Sequence, residues 1–469
     1  MQFLHRYPQP KLAQKCATEI RSHSMRLLKR YFAMIALAAA YAAGQTTEPT
    51  TQLPTRSQVQ DPGPRGGTPA AGGPISGLTP ALQAVFTTGQ ANFQEVEDVP
   101  TGGLGPRFNS TSCSSCHFQP AIGGSSPASN PQVAFANSQN RLPSFITAKG
   151  PVREVRFISN PDGTPDGGVH DLFTIAGRSD TPQGCNLQQP DFSNSSNIIY
   201  RIPTPTFGLG LIEAIQDTTL IQNVAQSASQ RLGIAGTLNR NGNDGTVTRF
   251  GWKAQNKSLL MFSGEAYNVE MGITNLLFNT ERDETPDCSP LAPANSYWNI
   301  GGLVDQKVFD DITNFANFMR FLAAPTRAVA AAADNTAVEG SNQFVNIGCA
   351  NCHTPALQTG ASPFPGLANQ TIHPYSDFAL HHMGPGLADH ISQGLAAGDQ
   401  FRSAPLWGIG QRLFFLHDGR ETDLMKVIAD HASNANSQFP ASEANQVVQN
   451  FNNLSNSDQQ AILNFLRSL

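Results

Sequence analysis

The sequence predicts a mostly α-helical chain with long loop insertions, built from two units of one plan. Three observations lead there. Apolar residues recur at helical spacing in several capped segments. Glycine (41) and proline (33) are frequent, which implies long turns between those helices. One short motif, C-x-x-C-H, occurs twice, as Cys113-Ser114-Ser115-Cys116-His117 and as Cys349-Ala350-Asn351-Cys352-His353. At 469 residues the chain is also too long for one ordinary domain.

Read in order, the first 44 residues are a signal peptide. Arg26, Lys29 and Arg30 precede a short apolar run, Tyr31 to Ala43, that ends in small residues. Met25 is an alternative start, which would make residues 1–24 an extension and remove Cys16 from the protein. Residues 45–77 are Thr, Pro, Gly, Gln and Ser with few large apolar groups, and read as a disordered linker. The first unit is expected over 78–334 and the second over 335–469. Helices are expected from Thr79-Pro80 onward, over Ile215–Leu232, Leu259–Phe278, Val308–Leu322, Asn335–Ile347, Thr422–Ala432 and Ser455–Leu469. Alternation in Val152–Ile158 and His170–Ile175 predicts a small hairpin. An Ala run, Ala328 to Ala333, separates the two units.

The motifs carry the chemistry. Two cysteines one helical turn apart can form thioethers to the two vinyl groups of a haem, and the adjacent histidine can reach the iron. Two covalently bound c-type haems are therefore expected, on Cys113, Cys116 and His117 and on Cys349, Cys352 and His353, each in a cytochrome c-like domain. A zinc ribbon would bring its two C-x-x-C pairs close together and need no histidine after each. A redox dithiol would use one such motif in a strand–helix context.

The chain also repeats itself beyond the motifs. Arg201-Ile202-Pro203-Thr204-Pro205-Thr206-Phe207-Gly208 is echoed by Arg402-Ser403-Ala404-Pro405-Leu406-Trp407-Gly408. An aromatic turn around Phe250-Gly251-Trp252 is echoed by Phe414-Phe415-Leu416-His417-Asp418-Gly419-Arg420. A helix follows each turn, with Glu270 near one helix end and His431 near the other. A carboxylate in one half and an imidazole in the other suggest two haems with different tasks.

At this point a resemblance becomes specific. Gly103-Leu104-Gly105-Pro106-Arg107-Phe108-Asn109, Phe207-Gly208-Leu209-Gly210-Leu211-Ile212-Glu213, Glu270-Met271-Gly272 and His381-His382-Met383-Gly384-Pro385-Gly386-Leu387 all enter it. With these and the His417-Asp418-Gly419 turn, residues 78–469 resemble the bacterial di-haem cytochrome c peroxidase superfamily, and within it the di-haem oxidoreductase (thiol oxidoreductase-like) family. The resemblance implies a peroxidatic N-terminal haem and a C-terminal haem that relays electrons to it. It implies that Glu270 assists O–O cleavage and that Trp252 lies between the haems. The residue fourteen after the turn histidine is a methionine iron ligand in such peroxidases, and here it is His431. Bis-histidine ligation would lower the potential of that haem. The glutamine such peroxidases keep near the glutamate is missing, since Leu260 and Phe262 stand there. Related enzymes that oxidise a partner protein carry Tyr where this chain has His431.

Other residues have plainer readings. His381, His382, Met383 and His170 are alternative ligands, with hydrogen-bonded structure as the bland reading. Met425 is expected in a core, Glu213 in a structural hydrogen bond, and Trp407 against the second haem. Cys185 and Cys288 are the remaining pair and are expected to form a disulfide, with free thiols as the alternative. The expected function is a periplasmic di-haem oxidoreductase that reduces peroxide. Its electrons would come from a small cytochrome or cupredoxin. The alternative is an electron-transfer cytochrome without peroxidase activity. The net charge of −5, with no basic run beyond the first 30 residues, argues against a nucleic-acid partner. No apolar run long enough for an integral membrane span follows the N-terminus.

Overall fold

The computed structural model describes residues 58–225, 232–283, 285, 287–288, 310–327 and 334–469. The signal-peptide reading, Cys16, the first part of the linker and the Ala run lie outside these. The described residues belong to one compact unit, Gln58–Leu469.

Helices and short two-stranded sheets alternate. The first half holds α1 (Pro80–Gln94), β1 (Arg107–Phe108), α2 (Cys113–Cys116), β2 (Glu154–Phe157), β3 (Phe173–Thr174), β4 (Ile198–Arg201), α3 (Leu209–Glu213), α4 (Asp217–Ala225), α5 (Leu259–Met271) and α6 (Asp311–Phe321). The second holds α7 (Asn335–Asn346), β5 (Leu357–Gln358), β6 (Thr371–Ile372), β7 (Leu380–His382), β8 (Gln400–Arg402), α8 (Leu424–Asp430), α9 (Asn445–Asn452) and α10 (Asn456–Ser468). No helix among the described residues is long and apolar enough to cross a membrane.

Local chemistry explains most helix ends. The Thr79 hydroxyl accepts the Leu82 N–H and Pro80 opens α1, the arrangement the cap signal predicts. Ser455 caps α10 in the same way through the Asp458 N–H. Helix α5 stops at Met271, short of the expected Phe278, because Gly272 turns left-handed (φ 67°) and closes it. A Cβ on Gly272 would stand 2.3 Å from the Arg107 carbonyl oxygen, and one on Gly105 would stand 2.2 Å from the Gly272 carbonyl oxygen. The Gly-Leu-Gly and Glu-Met-Gly segments are thus two faces of one close backbone contact. Helix α9 was not foreseen.

The expected hairpin forms differently. Strand β2 pairs antiparallel with β4, Glu154 opposite Arg201, while β3 pairs with β1. The 167–170 segment reaches β2 through Gly167 N–H to Phe157 C=O (2.9 Å) and His170 N–H to Val155 C=O (2.9 Å). Alternation marks a half-buried strand but does not say which neighbour completes its ladder.

A larger hydrophobic core is built mostly from the first half, joined by Leu357, Ile372, Phe378 and Trp407 of the second, and a smaller one lies in the second half. The larger packs α1 on α6, with Phe86, Phe93, Phe315 and Phe318 interleaved. The smaller packs α7 on α10 through Phe344, Phe465 and Leu466. Burying one such phenylalanine contributes about 1.5–3 kcal/mol. Cys185 and Cys288 are disulfide-bonded, as the cysteine count led us to expect.

Residues 58–77 are held to this body by polar contacts that composition does not reveal. Asp61 accepts the Leu424 N–H (2.8 Å) and is gripped by Arg467 through Nε (2.7 Å) and a second guanidinium nitrogen (2.6 Å). The Arg65 N–H reaches the Gly410 carbonyl at 2.7 Å, and Ile75 is buried against α6.

Candidate functional site: two cavities with one shared wall

Each C-x-x-C-H segment forms a single tight turn on the wall of a cavity. In the first, α2 carries Cys113 and Cys116, and the His117 N–H closes the turn on the Cys113 carbonyl at 3.0 Å. In the second, the His353 N–H closes on the Cys349 carbonyl, also at 3.0 Å. A phenylalanine from the preceding helix stands by each imidazole. Phe93 of α1 lies 6.0 Å from His117, and Phe344 of α7 lies 6.3 Å from His353.

The ring nitrogens are sorted by backbone. His117 Nδ1 lies 3.1 Å from the Gly124 carbonyl, and His353 Nδ1 lies 3.0 Å from the Tyr375 carbonyl. A carbonyl can only accept, so each Nδ1 bears the proton and each Nε2 keeps its lone pair. That is the tautomer an iron ligand needs, and the carbonyl holds the ring in orientation. Burial pushes His117 down to about 4, against the backbone carbonyls of Gly124 and Thr204. Burial, and then the charge of His431, push His353 down to about 4. Both imidazoles are neutral at ordinary pH. Burial raises the Cys116 thiol to about 11 and the Cys349 thiol to about 12, and Cys113 higher still.

The two motifs line different cavities, of 160 Å³ and 210 Å³, and so do not converge on one tetrahedral centre. Each volume far exceeds the ~30 Å³ share of one water. With paired thiols and a lone-pair imidazole on the wall, both cavities suit a covalently attached haem.

The second cavity holds His431 as well as His353. His431 closes the C-terminal end of α8, with its Nδ1 2.6 Å from the Val427 carbonyl, so its Nε2 also keeps a lone pair. Met383 lines this cavity too. His381 does so with both ring nitrogens engaged, Nδ1 by Glu443 (2.9 Å) and Nε2 by Asp377 (3.1 Å). Burial works against its charge, yet Cys352 and Asp377 hold its pKa well above the usual value. A doubly paired imidazolium has no lone pair for a metal. His382 is tied to Asp399 (2.9 Å) and Gln400 (3.1 Å). His170 stacks on Phe157, bonds Asp166 at 2.9 Å, and is not among the residues lining the first cavity. Met425 packs against the smaller core. Glu213 accepts the Leu259 N–H (2.9 Å) and pairs with Arg320 (2.9 Å), a structural bond as expected. Trp407 does not line the second cavity. Its indole lies over Gly208 and joins the larger core.

The first cavity holds Glu270, whose Oε2 accepts from Asn109 Nδ2 at 3.3 Å. Sequence reasoning missed three neighbours. Glu154 of β2 lines the same cavity beside Arg156, whose Nε lies 2.5 Å from Glu154 Oε1. Asp171 takes the other amide hydrogen of Asn109 at 2.8 Å, and burial pushes its carboxyl to about 7 against Arg282 and Arg107. Gln255 also lines the cavity, with a buried Oε1 that has no hydrogen-bond partner. One signal was available. Alternation in a strand puts Glu154 and Arg156 on one face.

Trp252 lines both cavities. Its indole N–H donates to the Ile202 carbonyl at 2.9 Å. A chain of buried charges runs beside it. Arg201, on the first cavity, pairs with Asp389 at 2.7 Å, and Asp389 pairs with Lys253 at 2.8 Å. The Lys253 ammonium sits 4.1 Å from the Phe401 ring centre, and Phe401 stacks on His417 in the second cavity at 4.3 Å.

A family model described as "Di-haem oxidoreductase, putative peroxidase" matches residues 168–469. The chain belongs to the di-haem oxidoreductase family. The match takes in the second C-x-x-C-H motif, Glu270, Trp252 and His431, while the first motif and Glu154 precede it. Haem is accordingly the cofactor class of this di-haem oxidoreductase. Among curated proteins, none matches its sequence. Several solved structures are similar to it, two of which follow. Hydrazine synthase from Kuenenia stuttgartiensis is 15% identical, with 57% of this chain and 88% of that chain covered and a TM-score of 0.23. A MauG-like protein associated with microbial copper homeostasis is 13% identical, with 57% and 90% covered and a TM-score of 0.28. Both likenesses are remote.

Proposed function

We propose that this di-haem oxidoreductase is an exported, periplasmic enzyme that reduces peroxide in its N-terminal unit. Electrons would pass through its C-terminal unit from a small donor cytochrome or cupredoxin. The units are residues 78–334 and 335–469. Cys113 and Cys116 would hold one haem by thioethers, and His117 would supply a ligand to its iron. Cys349 and Cys352 would hold the other by thioethers, with His353 and His431 as ligands to its iron. When bound, the haems supply the redox-active irons that take electrons from the donor and pass them to peroxide.

The chain's own residues shape what happens there. Glu270 faces the first cavity, and burial followed by the nearby Glu154 keeps its carboxyl protonated well above the usual range. A buried carboxylic acid of this kind can carry a proton from one peroxide oxygen to the other. Asn109 orients it. The second cavity is lined by the imidazoles of His353, His417 and His431, and its carboxyl, Glu443, is taken up by His381, which suits electron transfer. Trp252 supplies an aromatic wall common to both.

The observation that carries this reading is the asymmetry of the two cavities: Glu270 faces one without a cationic partner of its own, several imidazoles including His431 line the other, and Trp252 lines both. The test is peroxide-dependent oxidation of a reduced small cytochrome, normalised to haem content. The wild type should turn over. Glu270→Gln should lose roughly 10²–10⁴-fold with haem content intact, as expected for losing a positioned proton-transfer group. No turnover by the wild type, even after half-reduction, would leave the electron-transfer reading in its place.

A further inference from the structure

Strand β2 presents Glu154 and Arg156 to the first cavity, and β4 presents Arg201 from directly opposite Glu154 in the ladder. Arg156 is itself oriented by the Gly167 carbonyl at 2.8 Å, and Arg201 by Asp389 at 2.7 Å and Gln393 at 2.6 Å. Glu270 enters the same cavity from the last turn of α5. Its bond from Asn109 is to a neutral amide, and that amide is shared with Asp171. Two carboxyls therefore meet in one buried space, and the guanidinium clamp grips only Glu154. Two carboxylates in such a space cannot both ionise freely, and the one held by cations takes the charge.

We propose that Glu154 and Glu270 are a carboxyl pair holding one proton, with the arginine-clamped Glu154 as the ionised member and Glu270 as the acid. Glu154 is then a positioning residue that keeps Glu270 loaded. When Glu270 gives its proton to an acceptor in the cavity it becomes a carboxylate facing Glu154, and the repulsion draws a proton back. This deepens the peroxide reading and rests on it for the use of the proton, though not for its presence. The surrounding charges agree. Burial, then the charge and hydrogen bond of Glu154, then Asp171, hold Glu270 well above the carboxylate range, with Arg156 opposing. Burial pushes Glu154 up, yet Arg156, Arg201 and the hydrogen bond with Glu270 together bring it below its usual value. Behind Asp171 stand Arg282, at 3.3 Å, and Arg107.

Infrared spectra of the full-length holoprotein, titrated with alkali, read protonated carboxyls without any turnover. At about pH 8.5, above the Asp171 value of about 7, the wild type should retain one protonated-carboxyl C=O band. That band should be absent from Glu270→Gln and present in Asp171→Asn. In Glu154→Gln its titration midpoint should fall by at least about one pH unit, a tenfold change in proton affinity, and Glu154→Asp should restore it. Arg156→Gln keeps both carboxyls, serves if Glu154→Gln does not fold, and should raise the midpoint. A band that survives Glu270→Gln overturns the pair, as does a midpoint that moves in neither Glu154→Gln nor Arg156→Gln. Absent peroxide turnover with the expected band behaviour removes the peroxidase reading alone.

Discussion

The indole of Trp252 stands edge-on to the imidazole of His417, with ring centres 6.4 Å apart and planes at 75°. The same indole donates to the Ile202 carbonyl, and the Ile202 N–H donates to the His417 carbonyl at 2.8 Å. One tryptophan is thereby fixed between a strand exit in the first half and the aromatic turn of the second. Trp252→Phe keeps an aromatic ring but loses the bond to Ile202, a net cost of about 1 kcal/mol. Rapid mixing with a reduced small cytochrome should show electron arrival slowed more than peroxide binding. Equal slowing of both would point to a general loosening of the wall.

The paired thiols predict a covalent haem count. Intact mass of protein matured with haem in an exporting host should exceed the signal-cleaved polypeptide by two haems. Cys116→Ala and Cys352→Ala should each remove about one. A single covalent haem in the wild type would contradict the two-cavity reading.

His431 shares the second cavity with His353, and its Nε2 keeps a lone pair. His431→Gly should convert one low-spin iron to high-spin or water-ligated in the optical spectrum. His431→Met should raise that haem's potential, because thioether ligation favours the reduced iron. His381→Gln should leave the ligand bands in place, since both its nitrogens are held by carboxylates. If His431→Gly leaves the spectrum unchanged, His417 and Met383 become the candidate ligands.

Glu97 accepts the Tyr267 hydroxyl at 3.0 Å and is buried, and burial raises its carboxyl from 4.5 to about 7 against that bond. The folded state therefore binds this proton more tightly than the unfolded chain. Its contribution to stability is complete below pH 4.5 and is lost as pH rises through about 7. Thermal midpoints measured across that window should decline less with pH in Glu97→Gln than in the wild type. Asp171 acts with the same sign, so part of the slope should remain.

Much of this molecule is written in short stretches of sequence. Thr79 and Ser455 start their helices because a hydroxyl reaches an N–H three residues on, and Gly272 ends α5 because it can turn left-handed. Cys113, Cys116 and His117 share one turn for the same local reason, as do Cys349, Cys352 and His353. Such features depend on neighbours along the chain, and a sequence lists those directly. The duplication is legible too: Gly208 and Gly408 both turn left-handed at the same point of the repeat, which local similarity predicts.

The tertiary structure alone decided what meets across the chain. Nothing in the sequence says that β4 joins β2 on the side away from the 167–170 segment, since alternation does not name a strand's neighbours. It is that pairing that sets Arg201 opposite Glu154 and brings both to the cavity of Glu270. Asp61 seemed part of a polar tether until Arg467 and the end of α8 were found beside it. His381 stood as an alternative ligand to His431 in the sequence, and Asp377 and Glu443 occupy its two nitrogens. A buried charge is settled by its partners, and those partners come from distant segments whose approach only the packed chain determines.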